Sequence, residues 1–345
     1  HLGPIPRANV SIKISSLSPK VEPADFEGSL DRLVPALEPI LVKAGERGVF
    51  VNFDMEQQAL KDLTLALFQR CCERFDFPAG LALQAYLRSG DADAQNVIDW
   101  AKATGRQVTV RLVKGAYWDY EHILAEQRGW PVPVWSRKRD SDACFERMTR
   151  RFIEATPTRR DEGGVKLALG SHNARSIARG LALVEQYELP SEALELQMLY
   201  GMAEGLKRAA AERGLRVREY VPTGEMIPGM AYLVRRLLEN SSNESWLRAG
   251  FQEARSFDEL LASPHDTEDE THPDLSNDRA QDVGRATAML ESAPEHHALS
   301  PAVPGVGDGR PFFNEPHRDF ADPAQRETFG EAIHRAELPE VANDA

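Results

Sequence analysis

Short runs of β-branched and other apolar residues alternate along the chain with longer stretches whose apolar positions recur every three to four residues. The runs VSIKIS (residues 10–15), VFVNFD (49–54), LALQAY (81–86), VTVRLV (108–113), KLALGS (166–171), LELQML (194–199) and REYVP (218–222) read as buried strands. Between them, residues 26–43, 57–75, 91–104, 142–155, 174–187 and 204–213 carry helical periodicity. Strand–helix alternation of this kind predicts a parallel sheet with crossover helices. No G-x-G-x-x-G follows a strand, so the pattern gives no support to a dinucleotide site of the Rossmann type.

Seven βα units exceed the usual doubly wound count and fall one short of a (β/α)₈ barrel. The strand ends decide between the two. Lys13, Asp54, Gln84 with Tyr86, Arg111 with Lys114, Ser171-His172-Asn173, Gln197 with Tyr200, and Tyr220 give nearly every strand a polar or aromatic finish. Barrel enzymes collect their chemistry at the C-terminal ends of several strands. One such residue merely marks where a strand meets water; seven in a row point to a barrel of the TIM type, α/β in class. Residues 1–256 are assigned to it. Residues 257–345 read as a largely irregular linker, with short helical segments near 280–290 and 323–336.

Charge sharpens that division. Of the net −13, residues 261–300 hold −7, with nine acidic and two basic side chains, which suits a solvated linker. The acidic balance also argues against a nucleic-acid surface. Cys71, Cys72 and Cys144 are too few for a disulfide scaffold and lack zinc-ligand spacing, which fits a reducing compartment. No apolar run reaches the roughly 18 residues of a membrane span. The chain starts at His1 with no signal-peptide pattern, which suggests an incomplete chain.

Three constellations stand out as chemistry. In RLVKGAYW, strand alternation puts Arg111 and Val113 on one face, Gly115 admits close backbone approach, and Tyr117 and Trp118 offer stacking area. A large planar or anionic ligand suits this cluster better than a solvated basic patch. After Tyr220, a turn leads to a helix with Leu233, Leu237 and Leu238 on its apolar side. Arg235 and Glu239 are i,i+4 partners on it, and adjacent Arg235 and Arg236 can fork a carboxylate; taken alone, a surface ion-pair lattice is the better explanation of them. At the third, Ser171 or Asn173 either caps the following helix or joins a phosphate site at its N-terminus, and His172 lacks the partners of a metal ligand. Asp54 and Glu56 follow the second strand, with only Asp54 expected to point inward.

Taken together, VSIKISSLSP, VNFDMEQ, LQAY, RLVKGAYWDYE, GSHNARS, ELQMLYGMAE and EYVPTGEMIPGMAYLVRRLLENSSNESWLR resemble the proline dehydrogenase domain of bifunctional proline utilization A flavoenzymes, over about residues 8–250. RPFFNEPHRDFADPAQRETF is similar to the entry of their aldehyde dehydrogenase domain, which does not follow here. The resemblance implies a (β/α)₈ barrel, missing its first strand in this sequence and so carrying two unpaired edges. It implies non-covalent FAD, oxidation of L-proline to Δ¹-pyrroline-5-carboxylate by hydride transfer from C5 to flavin N5, and a quinone as final acceptor. It also implies a cytoplasmic location with peripheral contact at the inner membrane.

Residue by residue, the same resemblance implies that Lys13, Arg235 and Arg236 clamp the substrate carboxylate, with Glu239 orienting an arginine. Tyr220, Tyr117 and Leu199 enclose the ring, Asp54 lies at the amine side, and Arg111 approaches flavin N5. Gln84, Val113, Lys114, Gly115, Trp118, Ser171, His172, Asn173 and Gln197 hold the cofactor, with Arg137 and Lys138 near its phosphates. The competing expectations are a barrel fragment that retains no flavin and a related flavoenzyme acting on another cyclic amino acid.

Overall fold

The computed structural model describes residues 6, 8–159, 161–241, 261–265 and 317–335. They fall into two compact units, one drawn from residues 1–118 and 134–267, the other from 119–133 and 268–345.

The first unit is built on seven parallel strands in sequential order: β1 (Asn9–Ile12), β2 (Phe50–Phe53), β3 (Ala79–Gln84), β4 (Gln107–Val113), β5 (Gly164–Gly170), β6 (Leu194–Leu199) and β7 (Arg216–Tyr220). All seven expected strands are present. The last begins two residues before its expected start, because Arg216 and Val217 already pair with Glu195 and Leu196. Sequential parallel order requires every crossover to run the same way round, the topology of a TIM-type βα barrel.

Curvature shows in the side chains. In a flat sheet β1 and β7 would lie about 29 Å apart at 4.8 Å per strand. Instead Arg218 of β7 donates to the carbonyl of Pro6, just before β1, at 3.2 Å, and Arg111 of β4 reaches Ser11 of β1 at 3.0 Å. Among the described residues no ladder joins β7 to β1, which leaves these strands as the two edges.

Helices run between the strands: α1 (Phe26–Arg47), α2 (Lys61–Arg74), α3 (Gly90–Ala103), α4 (Trp118–Arg128) with α5 (Lys138–Glu154), α6 (Ala174–Gln186) and α7 (Glu204–Glu212); α8 (Met226–Ser241) follows β7, and α4 from Asp119 on belongs to the second unit. In α1, Leu30, Leu33, Val34, Leu37, Leu41 and Ala44 recur along one side and are buried. Gly48, in the left-handed conformation at φ 62°, ends it. The outward face of β2 packs on α2 and α3 through aromatic rings: Phe53 of β2 meets Phe68 of α2 edge-on at 5.5 Å, and Phe68 meets Trp100 of α3 at 5.7 Å. The three cysteines are free and buried in this layer, and burial pushes each thiol up to about 12.

Two features depart from the periodicity. Helix α4 carries no helical signal in its apolar pattern, because its polarity is inverted: Glu121 and Ala125 are buried while Tyr120 and Ile123 are exposed. In α8, Leu233 and Leu237, expected on a packed side, are 47% and 59% exposed. The side chain of Leu238 lies outside the described residues, as do residues 280–290. In the second unit, α9 (Pro323–Arg335) occupies the expected C-terminal helical segment. No described helix is long and apolar enough to cross a membrane.

Candidate functional site

Strand alternation sends Ser11 and Lys13, Asn52 and Asp54, Arg111, Glu195 and Gln197, and Arg218 and Tyr220 to the inside of the curl, where they form one connected polar chain. Arg111 stands at its centre. Its Nη1 donates to Asp54 Oδ1 at 2.5 Å, its Nε to Gln197 Oε1 at 2.5 Å, and its Nη2 to Ser11 Oγ at 3.0 Å. Asp54 also accepts from Asn52 Nδ2 at 3.0 Å and from the Tyr220 hydroxyl at 3.1 Å, with Lys13 Nζ 3.7 Å from Oδ2. Asp54, Arg111, Glu195 and Gln197 are each 6–8% exposed. Charges this deep persist only when paired and hydrogen-bonded, and these are.

Helix α8 joins the chain through aromatic rings. Arg111 lies 5.3 Å over the Tyr220 ring, Tyr220 stacks on Tyr232 of α8 with centroids 6.2 Å apart, and Arg236 lies 5.2 Å over Tyr232. The order is cation, ring, ring, cation, each contact favourable through the ring quadrupole. Arg235 turns instead to Tyr117, 5.3 Å over its ring. Burial, then the neighbouring Asp54 charge, raises the Tyr220 phenol well above its ordinary range, so it stays protonated and donates to Asp54.

A second cluster lies at the ends of β4 and β5. Lys114 and Lys138 both reach Asp142, the latter at 2.7 Å, and Arg137 pairs with Asp140 at 3.2 Å. Burial alone would raise the Asp142 carboxyl, but the two ammonium groups outweigh it and hold the pKa low. This places two lysines near the N-terminus of α5, the end at which the helix dipole favours an anion. Trp118 Nε1 donates to the Trp135 carbonyl at 2.7 Å. Gly115, at φ 139°, passes so close to Tyr86 that a Cβ would fall 2.3 Å from the ring.

At the end of β5 the choice between cap and ligand is resolved for one oxygen: Asn173 Oδ1 accepts from Ser176 N at 3.2 Å and caps α6, while Ser171 Oγ accepts from Asn173 N at 3.1 Å. His172 Nε2 accepts from the backbone N–H of Leu199 at 3.0 Å. Burial, then Arg236 and Lys207, lowers its pKa to about 4. Gln84 Nε2 donates to the Glu56 carbonyl at 3.1 Å, but its Oε1 is buried with no hydrogen-bond partner among the described residues. Glu56, as expected, turns away from Asp54: it accepts from Ser15 N and Oγ at 3.1 and 2.5 Å.

Of the residues singled out from sequence, Lys13, Asp54, Arg111, Gln197 and Tyr220 are in one network, with Arg236 linked through Tyr232. The side chain of Glu239 lies outside the described residues. Ser11, Asn52, Glu195 and Arg218 join the network without having stood out in the sequence, although period-2 alternation aligns each with a residue that did.

Over residues 1–249 the sequence matches the family model described as proline dehydrogenase. It is 30% identical over 266 residues to the bifunctional protein PutA of Klebsiella aerogenes, covering 74% of this chain and 20% of that protein. It is 27% identical to proline dehydrogenase 1 of Bacillus subtilis, covering 68% of this chain and 69% of the relative. Among solved structures, proline utilization A from Bdellovibrio bacteriovorus, inactivated by N-propargylglycine, superposes with a TM-score of 0.79 at 41% identity, over 97% of this chain and 32% of that one. The chain thus spans about a fifth of the length of the PutA relative.

Proposed function

Because this chain belongs to the proline dehydrogenase family, we propose that it oxidises L-proline to Δ¹-pyrroline-5-carboxylate with FAD as the bound cofactor. The observation that carries this reading is the Asp54–Arg111–Tyr220 network, joined through stacked rings to Arg236 of α8. It puts a carboxylate, cations and aromatic faces within one inner surface, the set that a small zwitterionic amino acid requires.

The residues also suit a flavin dinucleotide. Gln84 offers a buried acceptor oxygen that is otherwise unsatisfied, and Lys114 and Lys138 gather at a helix N-terminus suited to phosphate. Gln84, Val113, Lys114, Gly115, Trp118, Ser171, His172, Asn173 and Gln197 would hold FAD, with Arg137 and Lys138 toward its phosphates. Bound there, FAD supplies the two-electron acceptor that no side chain can provide.

The chain's own residues then divide the work. Lys13, Arg235 and Arg236 fix the proline carboxylate, and Tyr117, Tyr220 and Leu199 enclose the ring. Asp54 sits at the amine side, where Tyr220 and Arg111 hold its two oxygens in place. Arg111 presents a fixed positive charge to the reacting face, which stabilises negative charge developing there. Glu239 orients one arginine of α8. Residues 1–256 form the catalytic barrel and 257–345 the linker toward an aldehyde dehydrogenase domain. Electrons pass on to a quinone, met peripherally at the inner membrane by a cytoplasmic enzyme.

The test is a visible absorbance spectrum of the purified chain, repeated after anaerobic addition of L-proline. Flavin bands that bleach with proline are the expected result. A chain that purifies without flavin would overturn the cofactor assignment and leave a non-catalytic barrel. Flavin that proline fails to bleach would overturn the substrate assignment.

A further inference from the structure

Below the Arg111–Asp54 pair the polar chain runs on through Gln197, assigned above to the cofactor, to Glu195 and Arg218, to which the proposed chemistry gives no part. Glu195 and Gln197 sit two residues apart on β6, so both project inward. Arg111 Nε donates to Gln197 Oε1 at 2.5 Å, and Gln197 Nε2 donates to Glu195 Oε1 at 2.7 Å. Arg218 grips Glu195 from the far side, Nε to Oε1 at 2.7 Å and Nη2 to Oε2 at 3.2 Å.

The direction of these bonds is forced. A guanidinium only donates and an ionised carboxylate only accepts. The Gln197 amide between them therefore has one satisfactory orientation, with oxygen toward Arg111 and nitrogen toward Glu195. Were Glu195 uncharged, the Gln197 NH₂ would lose its charged acceptor, and the amide would be held only by its bond to Arg111. Arg111 Nε would then face a looser, less fixed acceptor.

We propose that Glu195 is a positioning residue for Arg111, fixing the Gln197 amide so that the guanidinium stays aimed between Asp54 and the reacting face. The inference rests on the reading of Arg111 as the cation of the proposed site. The competing role is purely structural, with Glu195 and Arg218 bolting β6 to β7. That role predicts a loss of stability on substitution but no change at Arg111 Nε in a variant that remains folded.

The Nε–H of Arg111 is itself the reporter. In a ¹H–¹⁵N spectrum of the flavin-free chain, with the signal assigned through Arg111→Lys, wild type should show a slowly exchanging Nε–H. Glu195→Gln should speed that exchange at least about tenfold, the loss expected when one charge-assisted hydrogen bond of about 1.5–3 kcal/mol is removed. Gln197→Leu should do the same. The double variant Glu195→Gln with Gln197→Glu puts the carboxylate next to Arg111 and the amide next to Arg218, and should restore slow exchange. Glu195→Asp, which keeps the charge but shortens the reach, covers the case in which Glu195→Gln does not fold, and should exchange at an intermediate rate. Unchanged exchange in a folded Glu195 variant, or a folded double variant that does not recover, overturns the proposal.

This readout needs neither flavin nor proline, so it stands or falls apart from the dehydrogenase assignment. With flavin loaded, Glu195→Gln should lower kcat about tenfold with KM unchanged, the usual scale for an outer partner of a functional side chain.

Discussion

Tyr220 ends the last strand of the sheet order and Asp54 directly follows the second, yet the phenol donates to the carboxylate at 3.1 Å. The contact is possible only because the sheet curls, and it ties the last described strand to the second. Tyr220→Phe keeps the ring between Arg111 and Tyr232 and removes only this bond. It should cost about 1 kcal/mol of stability in urea unfolding. A loss as large as that of Tyr220→Ala would mean that the hydroxyl, and not the stack, carries the interaction.

Removing Asp54 should be far more damaging. Asp54→Ala leaves Arg111 buried without its counter-charge, a change that typically costs about 3–5 kcal/mol. The double variant Asp54→Leu with Arg111→Met should recover most of that loss while abolishing proline turnover. Chemical denaturation of wild type, Asp54→Leu, Arg111→Met and the double variant measures it, and additive losses would sink the pairing.

On α8, Arg236→Met should raise the proline KM at least about tenfold, the scale expected when a carboxylate is deprived of one charge-assisted hydrogen bond. Flavin content should be unchanged. Equal loss of flavin in this variant would place Arg236 with the cofactor and not with the substrate.

His172 predicts a pH dependence. Its pKa falls from an ordinary 6.5 to about 4, because burial and then Arg236 and Lys207 disfavour the imidazolium. The unfolded chain therefore takes up the proton first as pH drops. The stability tied to neutral His172 is complete above about pH 6.5 and drains away between 6.5 and 4. Urea midpoints of wild type should fall more steeply over this range than those of His172→Gln; parallel slopes would refute it.

Gly115→Ala should disrupt the turn after β4. A Cβ there meets the Tyr86 ring at 2.3 Å, and φ 139° is a conformation that L-residues avoid. A loss of about 1–3 kcal/mol is expected, together with reduced flavin retention in the purified chain.

Most strands are legible in the sequence because a short apolar or alternating run feeds polar residues to one end; β7, with three charges in five residues, is read two residues late. Helix α4 is not legible, since an exposed Tyr120 and Ile123 beside a buried Glu121 reverse the usual signal. Glu195 and Arg218 escape notice for another reason. Glu195 lies inside its expected run and Arg218 at the start of its own, away from the C-terminal ends, and an isolated charge at such a position reads as solvent-facing. Only the closeness of β6 and β7, paired from Glu195–Arg216 to Leu199–Tyr220, shows that the two charges neutralise each other inside. The ring stack on Tyr232 is out of reach, because nothing local fixes how α8 leans on the last strand.

The alternation of sign along the buried chain has a consequence for whatever enters. Arg218 with Glu195 and Arg111 with Asp54 cancel pairwise in the middle of the curl. Arg216 and Lys166 lie on the same inner face below them, and Lys13 and the two arginines of α8 add positive charge beyond the strand ends. The axis is therefore positive at both ends and neutral between. An anion that enters from the strand ends meets the cations of α8 first, and the paired middle offers it no stronger attraction further in.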